Sequence, residues 1–331
     1  MKLTGVFVIE TGVVNRGDGI GNIATVKKIT TPEGIKVFFS PVSYKRALWR
    51  SLQQNKHWKE PMVSRDGGVV QRTGTVIDSE EFDFAGTMIA KPKYERESTL
   101  LIDNGISVNN YFGDMEFMTN MAISKLYGEN EANIINKEIF YGIYIMPFGI
   151  EVDRIGVQEI KNLDTRISDS DSVEDKIKKV YEALNIGNKV SEDSIKEWVN
   201  IVESIEYNID SRGRKITKIV LTKEERKRRL KELLEGMGEL SRRMEGSERN
   251  LSPYFSVFSL KYAAPKYMFL IKKYINKKFL EGGYLDFDDL KKELEDFAIQ
   301  EQKTVKIADY KSYRAVVNEI VEEIFGETKD D

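Results

Sequence analysis

Leu3-Thr4-Gly5-Val6-Phe7-Val8-Ile9-Glu10 opens the chain, and Ser40-Pro41-Val42-Ser43-Tyr44-Lys45-Arg46-Ala47-Leu48-Trp49-Arg50-Ser51-Leu52 follows it across a polar loop. The first run is short, apolar and rich in β-branched and aromatic residues, which reads as a strand. The loop between them is Asn15-Arg16-Gly17-Asp18-Gly19-Ile20-Gly21-Asn22, followed by Lys27-Lys28 and the apolar run Val37-Phe38-Phe39. Ser40 stands where an N-cap belongs, and Pro41 takes the first helical position, where its missing N–H costs nothing. Tyr44, Leu48, Ser51 and Leu52 then share a core side at helical spacing. Lys45, Arg46, Trp49, Arg50 and Gln53 line the other side. Guanidinium, ammonium and indole on one exposed stripe suit the backbone of single-stranded RNA with a stacking platform. A solvated helix with Trp49 packed under a loop is the alternative. No GxxxxGK[ST] or GxGxxG pattern is present, which argues against a nucleotide pocket.

Working outward, Asp66-Gly67 inside residues 63–74 signals a hairpin, with Arg65 and Arg72 on its arms. His57, the chain's single histidine, reads as a surface or packing residue. Residues 83–89 are expected to form a strand. Residues 91–96 give a basic loop carrying Lys91, Lys93 and Arg96, and residues 99–109 another strand interrupted at Asn104-Gly105. A helix is expected from Asp114 to about Tyr127, stopped by Gly128. Residues 139–152 form the longest apolar β signal, a central strand with a break or edge position at Pro147.

Residues 162–207 turn acidic and polar, with helix starts at Ser172 and Ser191, the second helix running to about Tyr207. Residues 210–218 form a basic turn, a candidate protruding hairpin. Thr222-Lys223-Glu224-Glu225 is a capping box, and Leu230, Leu233, Leu234, Met237, Leu240 and Met244 continue a helical stripe to 244. Gly236 and Gly238 inside it are explained if another backbone approaches closely. An exit loop with Arg242, Arg243 and Arg249 leads to a strand at 253–262 and three amphipathic helices. Reduced to its core the order is βαββαβ, from residues 3–10, 41–54, 83–89, 139–152, 222–244 and 253–262. That is the ferredoxin-like, RRM-like α+β arrangement.

Composition narrows the function. There is no Cys and one His in 331 residues, so disulfides, thiol nucleophiles and multi-histidine metal sites are excluded. No apolar run reaches membrane-spanning length and no signal peptide is evident, so a soluble cytoplasmic protein without membrane contact is expected. Net charge is −3, but residues 1–50 carry eight Lys/Arg against three Asp/Glu, and residues 211–250 thirteen against seven. Residues 281–301 carry two against eight. Such segregation gives either a basic face for a polyanion or two solvated basic surfaces. No metal or cofactor is called for.

The order of these motifs resembles a known family. The Leu3-Thr4-Gly5 start, Asn15-Arg16-Gly17-Asp18, Gly21-Asn22, Lys27-Lys28, the helix 42–50 and Asp83-Phe84-Ala85-Gly86-Thr87-Met88 are similar to the CRISPR-associated RAMP superfamily of backbone subunits. So are Arg96-Glu97-Ser98, Gly113-Asp114, Phe140-Tyr141 and Asp153-Arg154-Ile155-Gly156. The nearest branch is DevR, the "Cas-seven" backbone protein of type I-B Cascade. The likeness covers residues 3–156 well and 222–260 more loosely.

It implies a non-catalytic subunit of antiviral defence that oligomerises along a CRISPR RNA (crRNA) guide in a ribonucleoprotein. Its partners would be the guide, copies of itself, other Cascade subunits and target DNA through guide pairing. The implied domain is one RRM-like palm over 1–331. Finger-like insertions fall at about 56–82 and 90–137, a helical insertion with a possible thumb hairpin at 162–218, and C-terminal helices at 263–326. Whether 63–74 or 210–218 is the thumb stays open. The implied RNA-binding residues are Asn15, Arg16, Asn22, Lys27, Lys28, Ser43, Lys45, Arg46, Trp49, Arg50, Arg65, Arg72, Lys91, Lys93, Arg96, Arg242, Arg243 and Arg249. Two alternatives stand beside this. In type III relatives an aspartate after the first strand cuts target RNA, and Asp18 holds that position, although an Asp in such a glycine turn also serves as a turn residue. A helical protein–protein scaffold free of RNA is the other.

Overall fold

The computed structural model describes residues 1–66, 68–90, 93–128, 134–260, 264–282, 285–300 and 305–326. Its central sheet is built on β1 (Lys2–Gly12) and completed by β2 (Gly105–Asn110), β3 (Tyr141–Glu151) and β4 (Phe255–Ser259). Helices α1 (Pro41–Asn55) and α2 (Lys223–Gly238) connect them in the order β1-α1-β2-β3-α2-β4. In space the strands run β4-β1-β3-β2, all neighbours antiparallel, which is the ferredoxin-like order. Strands Gly34–Phe39 and Lys28–Thr31 extend the sheet beyond β2, and Lys306–Asp309 extends it beyond β4.

The expected order βαββαβ holds, but its second strand is misplaced. Residues 83–89 do not enter the sheet. Ser79 accepts the Phe82 N–H and caps a short helix, Glu80–Ala85, whose first turn carries Glu80, Glu81 and Asp83. Acidic groups suit that end of the dipole. Gly86 at φ +71° ends the helix, and Thr87–Ala90 pairs with Lys93–Arg96 as a separate hairpin. The strand signal after Asn104 supplies β2 instead. At Pro147 the central strand continues, but its neighbour changes. Ile145 and Tyr144 pair with β2, whereas Phe148 to Ile150 pair with Leu100–Ile102.

Helices α1 and α2 cover one face of the sheet. Ser40 caps α1 and Pro41 sits in its first turn, and Thr222 caps α2. The two glycines of α2 lie at close approaches. A Cβ on Gly236 would sit 2.5 Å from Leu52 Cδ2, and one on Gly238 2.1 Å from Tyr313 Cε1. The C-terminal helices take different faces. Across the sheet, Val6, Val8 and Val257 pack with Tyr267, Ile271, Tyr274, Leu290 and Leu294 from α3 (Met268–Leu280) with its lead-in turn and α4 (Phe287–Gln300). α5 (Tyr313–Phe325) lies on the α2 side.

Three helix expectations are shortened. α2 stops at Gly238, and residues 241–250 fold as a hairpin, Ser241–Met244 with Ser247–Asn250. Strand Met115–Thr119 precedes a helix of only Met121–Tyr127. The helix from Ser191 ends at Val199, and Val202–Ile209 pairs with Lys215–Leu221, so the basic turn at 210–214 does tip a hairpin. Among the described residues no helix is long and apolar enough to cross a membrane.

Candidate nucleic-acid interface

Three segments distant in sequence meet at the start of α1. Asn15 Oδ1 accepts the Ser40 N–H at 3.3 Å, fixing the first loop against the cap. Arg242 Nη1 donates to the Ser43 hydroxyl, bringing the 241–250 hairpin onto the first turn of the helix. Antiparallel register places Arg249 directly opposite Arg242. The Arg249 guanidinium lies over Gly12 at the end of β1, where a Cβ would come within 3.2 Å of Nη1. Its Nε is buried and has no hydrogen-bond partner. Partial burial and then the nearby Arg50 hold Arg242 below the usual guanidinium range. Like charges facing each other across a strand pair repel, and no ion pair offsets Arg50, Arg242 or Arg249 among the described residues. The helix N-terminus adds a positive dipole end. The arrangement is cationic, partly desolvated and short of an anion.

Beside it lies a second, neutralised cluster. Arg16 forms a two-point pair with Glu245, at 2.9 and 3.0 Å, and also donates to the Glu138 carbonyl. Lys137 pairs with the same Glu245. Lys28 reaches Glu138 at 2.6 Å and lies over the Tyr111 ring. Burial alone would raise the Glu138 carboxyl, but Lys28 and the Val26 N–H hold it below the ordinary range. Lys27 is half-buried and Asn22 exposed on the same loop. Sequence reasoning missed Lys137, Glu138 and Glu245. Only Glu245 had a signal, as one of two acids, with Glu248, in an exit loop carrying three arginines.

Other expected contacts lie elsewhere. Trp49 is 2 % exposed and stacks on Trp58, which stacks on Phe84, so it offers no platform to a base. The segment following α1 folds back over Trp49, while Arg46 and Arg50 on the same side of the helix stay exposed. Lys45 is held inward by Ser98 Oγ at 2.9 Å and the Leu100 carbonyl, and burial, helped by Arg72, lowers it to about 8. Arg72 pairs with Glu81 at 2.8 Å. Arg96 is buried against Asp83. All four side chains are engaged by groups of this chain. Arg46 and Arg243 are exposed, the latter opposite Glu248. Arg65 and Lys93 are exposed on their own hairpins, and Lys91 lies outside the described residues. Asp18 is exposed, and its carbonyl accepts the Thr25 hydroxyl proton. No group of three or more potential His, Cys, Asp or Glu ligands forms among the described residues.

A ferredoxin-like palm carrying long insertions, with an uncompensated basic cluster where its first strand, first helix and a late hairpin meet, defines an α+β protein of the RRM-like class. The chain belongs to the CRISPR-associated DevR/Csa2 family. That family's model, described as a CRISPR-associated negative auto-regulator, matches residues 3–281. Two solved structures share the fold. One, from a CRISPR RNA-guided surveillance complex in a pre-nicking state, has a TM-score of 0.57 at 9 % identity, covering 98 % of this chain and 100 % of that one. The other, also from a CRISPR RNA-guided surveillance complex, has a TM-score of 0.50 at 10 % identity with the same coverages. Searched against curated proteins, the sequence finds no match.

Proposed function

We propose that this chain is a CRISPR guide-RNA-binding backbone subunit of a Cascade interference complex. On this reading it assembles with copies of itself and other subunits along the guide and presents it to target DNA. The observation that carries it is the unpaired arginine group, Arg50, Arg242 and Arg249, set at the capped start of α1. Cations left adjacent without carboxylates are unfavourable unless an anion completes the site, and a row of phosphates does so without reading bases. Family membership supports the CRISPR context, and both fold neighbours come from surveillance complexes. The type I-B assignment rests on the sequence resemblance, and a cytoplasmic location follows from the role. We take the chain to bind without cutting. Among the described residues Asp18 belongs to no group of three or more potential metal ligands, whereas metal-assisted cleavage places a metal ion held by such ligands at the scissile phosphate.

The test replaces Arg46, Arg50 and Arg242 with Ala together and measures RNA co-purifying from cells. Loss of nearly all RNA from a folded protein is expected, and retention of wild-type RNA would contradict the assignment. In the same preparation of assembled complex, complementary RNA with Mg²⁺ should stay intact. Cutting that disappears in Asp18→Ala would replace this reading with the nuclease one.

A further inference from the structure

Glu245 is out of character with its surroundings. The 241–250 hairpin turns through Glu245-Gly246, with φ +51° and +79°. Two-residue turns with both φ values positive favour Asn-Gly or Asp-Gly, so turn geometry does not account for a glutamate there. Its side chain does. The carboxylate accepts from Arg16 Nε and Nη2 at 2.9 and 3.0 Å and pairs with Lys137. Arg16, with Lys137 beside it, draws the carboxyl down to about 2, so the negative charge persists at every physiological pH. The pairing ties the loop after β1, strand Ile134–Glu138 and the hairpin together. Two parallel N–H···O bonds from one guanidinium are also how arginine holds a phosphate.

We propose that Glu245 is an internal stand-in for an RNA phosphate. It occupies Arg16 and Lys137 in the RNA-free chain and sets which polyanions open that part of the track. The inference rests on the RNA-binding reading above. An incoming strand first meets Arg50, Arg242 and Arg249, which no carboxylate of the described residues masks. Its next phosphate then displaces Glu245 from Arg16 and Lys137. A short or weakly held polyanion gains only the first set. Glu245 thus acts as a specificity residue through competition, unlike a residue that merely orients Arg16 for binding. The two roles predict opposite signs on neutralising it.

The test uses full-length, nuclease-treated, high-salt-washed protein and a fluorescein-labelled single-stranded RNA of mixed sequence, read by anisotropy at one fixed salt concentration. Glu245→Gln is nearly isosteric and exposed, and matching thermal melts check its fold. It is expected to bind about three- to fivefold tighter than wild type, the scale of one surface ion pair removed from competition. In a background with both Arg16→Ala and Lys137→Ala, which removes the two cations that Glu245 occupies, the same change should have almost no effect. Unchanged or weaker binding by Glu245→Gln, with wild type binding normally, would overturn the inference and leave the RNA-binding reading intact. A gain that survives in the background lacking both Arg16 and Lys137 would also overturn it. Binding by neither protein would defeat both readings.

Discussion

Asp83 shows how one residue decides an element. Its carboxylate pairs with Arg96, accepts the Gly156 N–H at 2.8 Å and meets Arg229 at 3.0 Å, all of them buried. Arg229 in turn holds Glu225 at 2.6 Å and the Val76 carbonyl at 2.8 Å. These contacts pull 80–85 into a helix and away from the sheet, and no local pattern announces them. Asp78 is the other buried acid with a consequence. Its Oδ2 accepts from Thr75 N and the Tyr181 hydroxyl, both at 2.6 Å, while Oδ1 has no partner. Burial raises it to about 6 against the opposing pull of those bonds. In the window from about pH 4 to 6 the folded chain therefore binds this proton more tightly than the unfolded chain. This group's contribution to stability is full at the acid end and falls as pH rises, by at most about 1.4 kcal/mol per unit. Asp78→Asn should flatten that part of the profile relative to wild type. Urea unfolding of both proteins across this range reads the difference, and parallel profiles would contradict it.

At the scale of elements, what could be read in the sequence is what local chemistry controls. Ser40-Pro41 and Thr222 to Glu225 mark helix starts, and the helices begin there. Asp66-Gly67 marks a hairpin, and strands Met62–Asp66 and Val69–Thr73 form. The misses lie where packing overrides pattern. Trp49 sits on the expected polar side of α1, but Trp58, itself stacked on Phe84, covers it there. Lys45, Arg72 and Arg96 read as free cations because their partners, Ser98, Glu81 and Asp83, come from other elements. The two glycines of α2 read as sites of close backbone approach, but what meets them is side chains, Leu52 at Gly236 and Tyr313 at Gly238. Gly238→Ala tests the fit. On an open helix the change would gain about 1 kcal/mol of helix propensity. Here the new methyl meets the Tyr313 ring, buried with its hydroxyl on the Leu234 carbonyl, and overpacking of about 1–3 kcal/mol outweighs that gain. A lower melting temperature than wild type is expected, and a higher one would contradict the packing described.

At the scale of the molecule, the ferredoxin-like palm uses both sheet faces for cores, so the RNA track proposed here runs along one end of it. There the first loop and the start of α1, both from the β1–α1 connection, converge with the 241–250 hairpin, which comes from the α2–β4 connection. The net negative charge of the chain hides this cluster, because the acids sit largely elsewhere or, at Glu245, pair with particular cations. On the proposed function, assembly of copies repeats the track. The most direct test is to purify the wild-type chain from cells carrying a CRISPR array, size it by light scattering, and extract any nucleic acid. A high-mass particle that contains RNA of one defined length and loses mass on nuclease treatment is expected. A monomer free of RNA would contradict it.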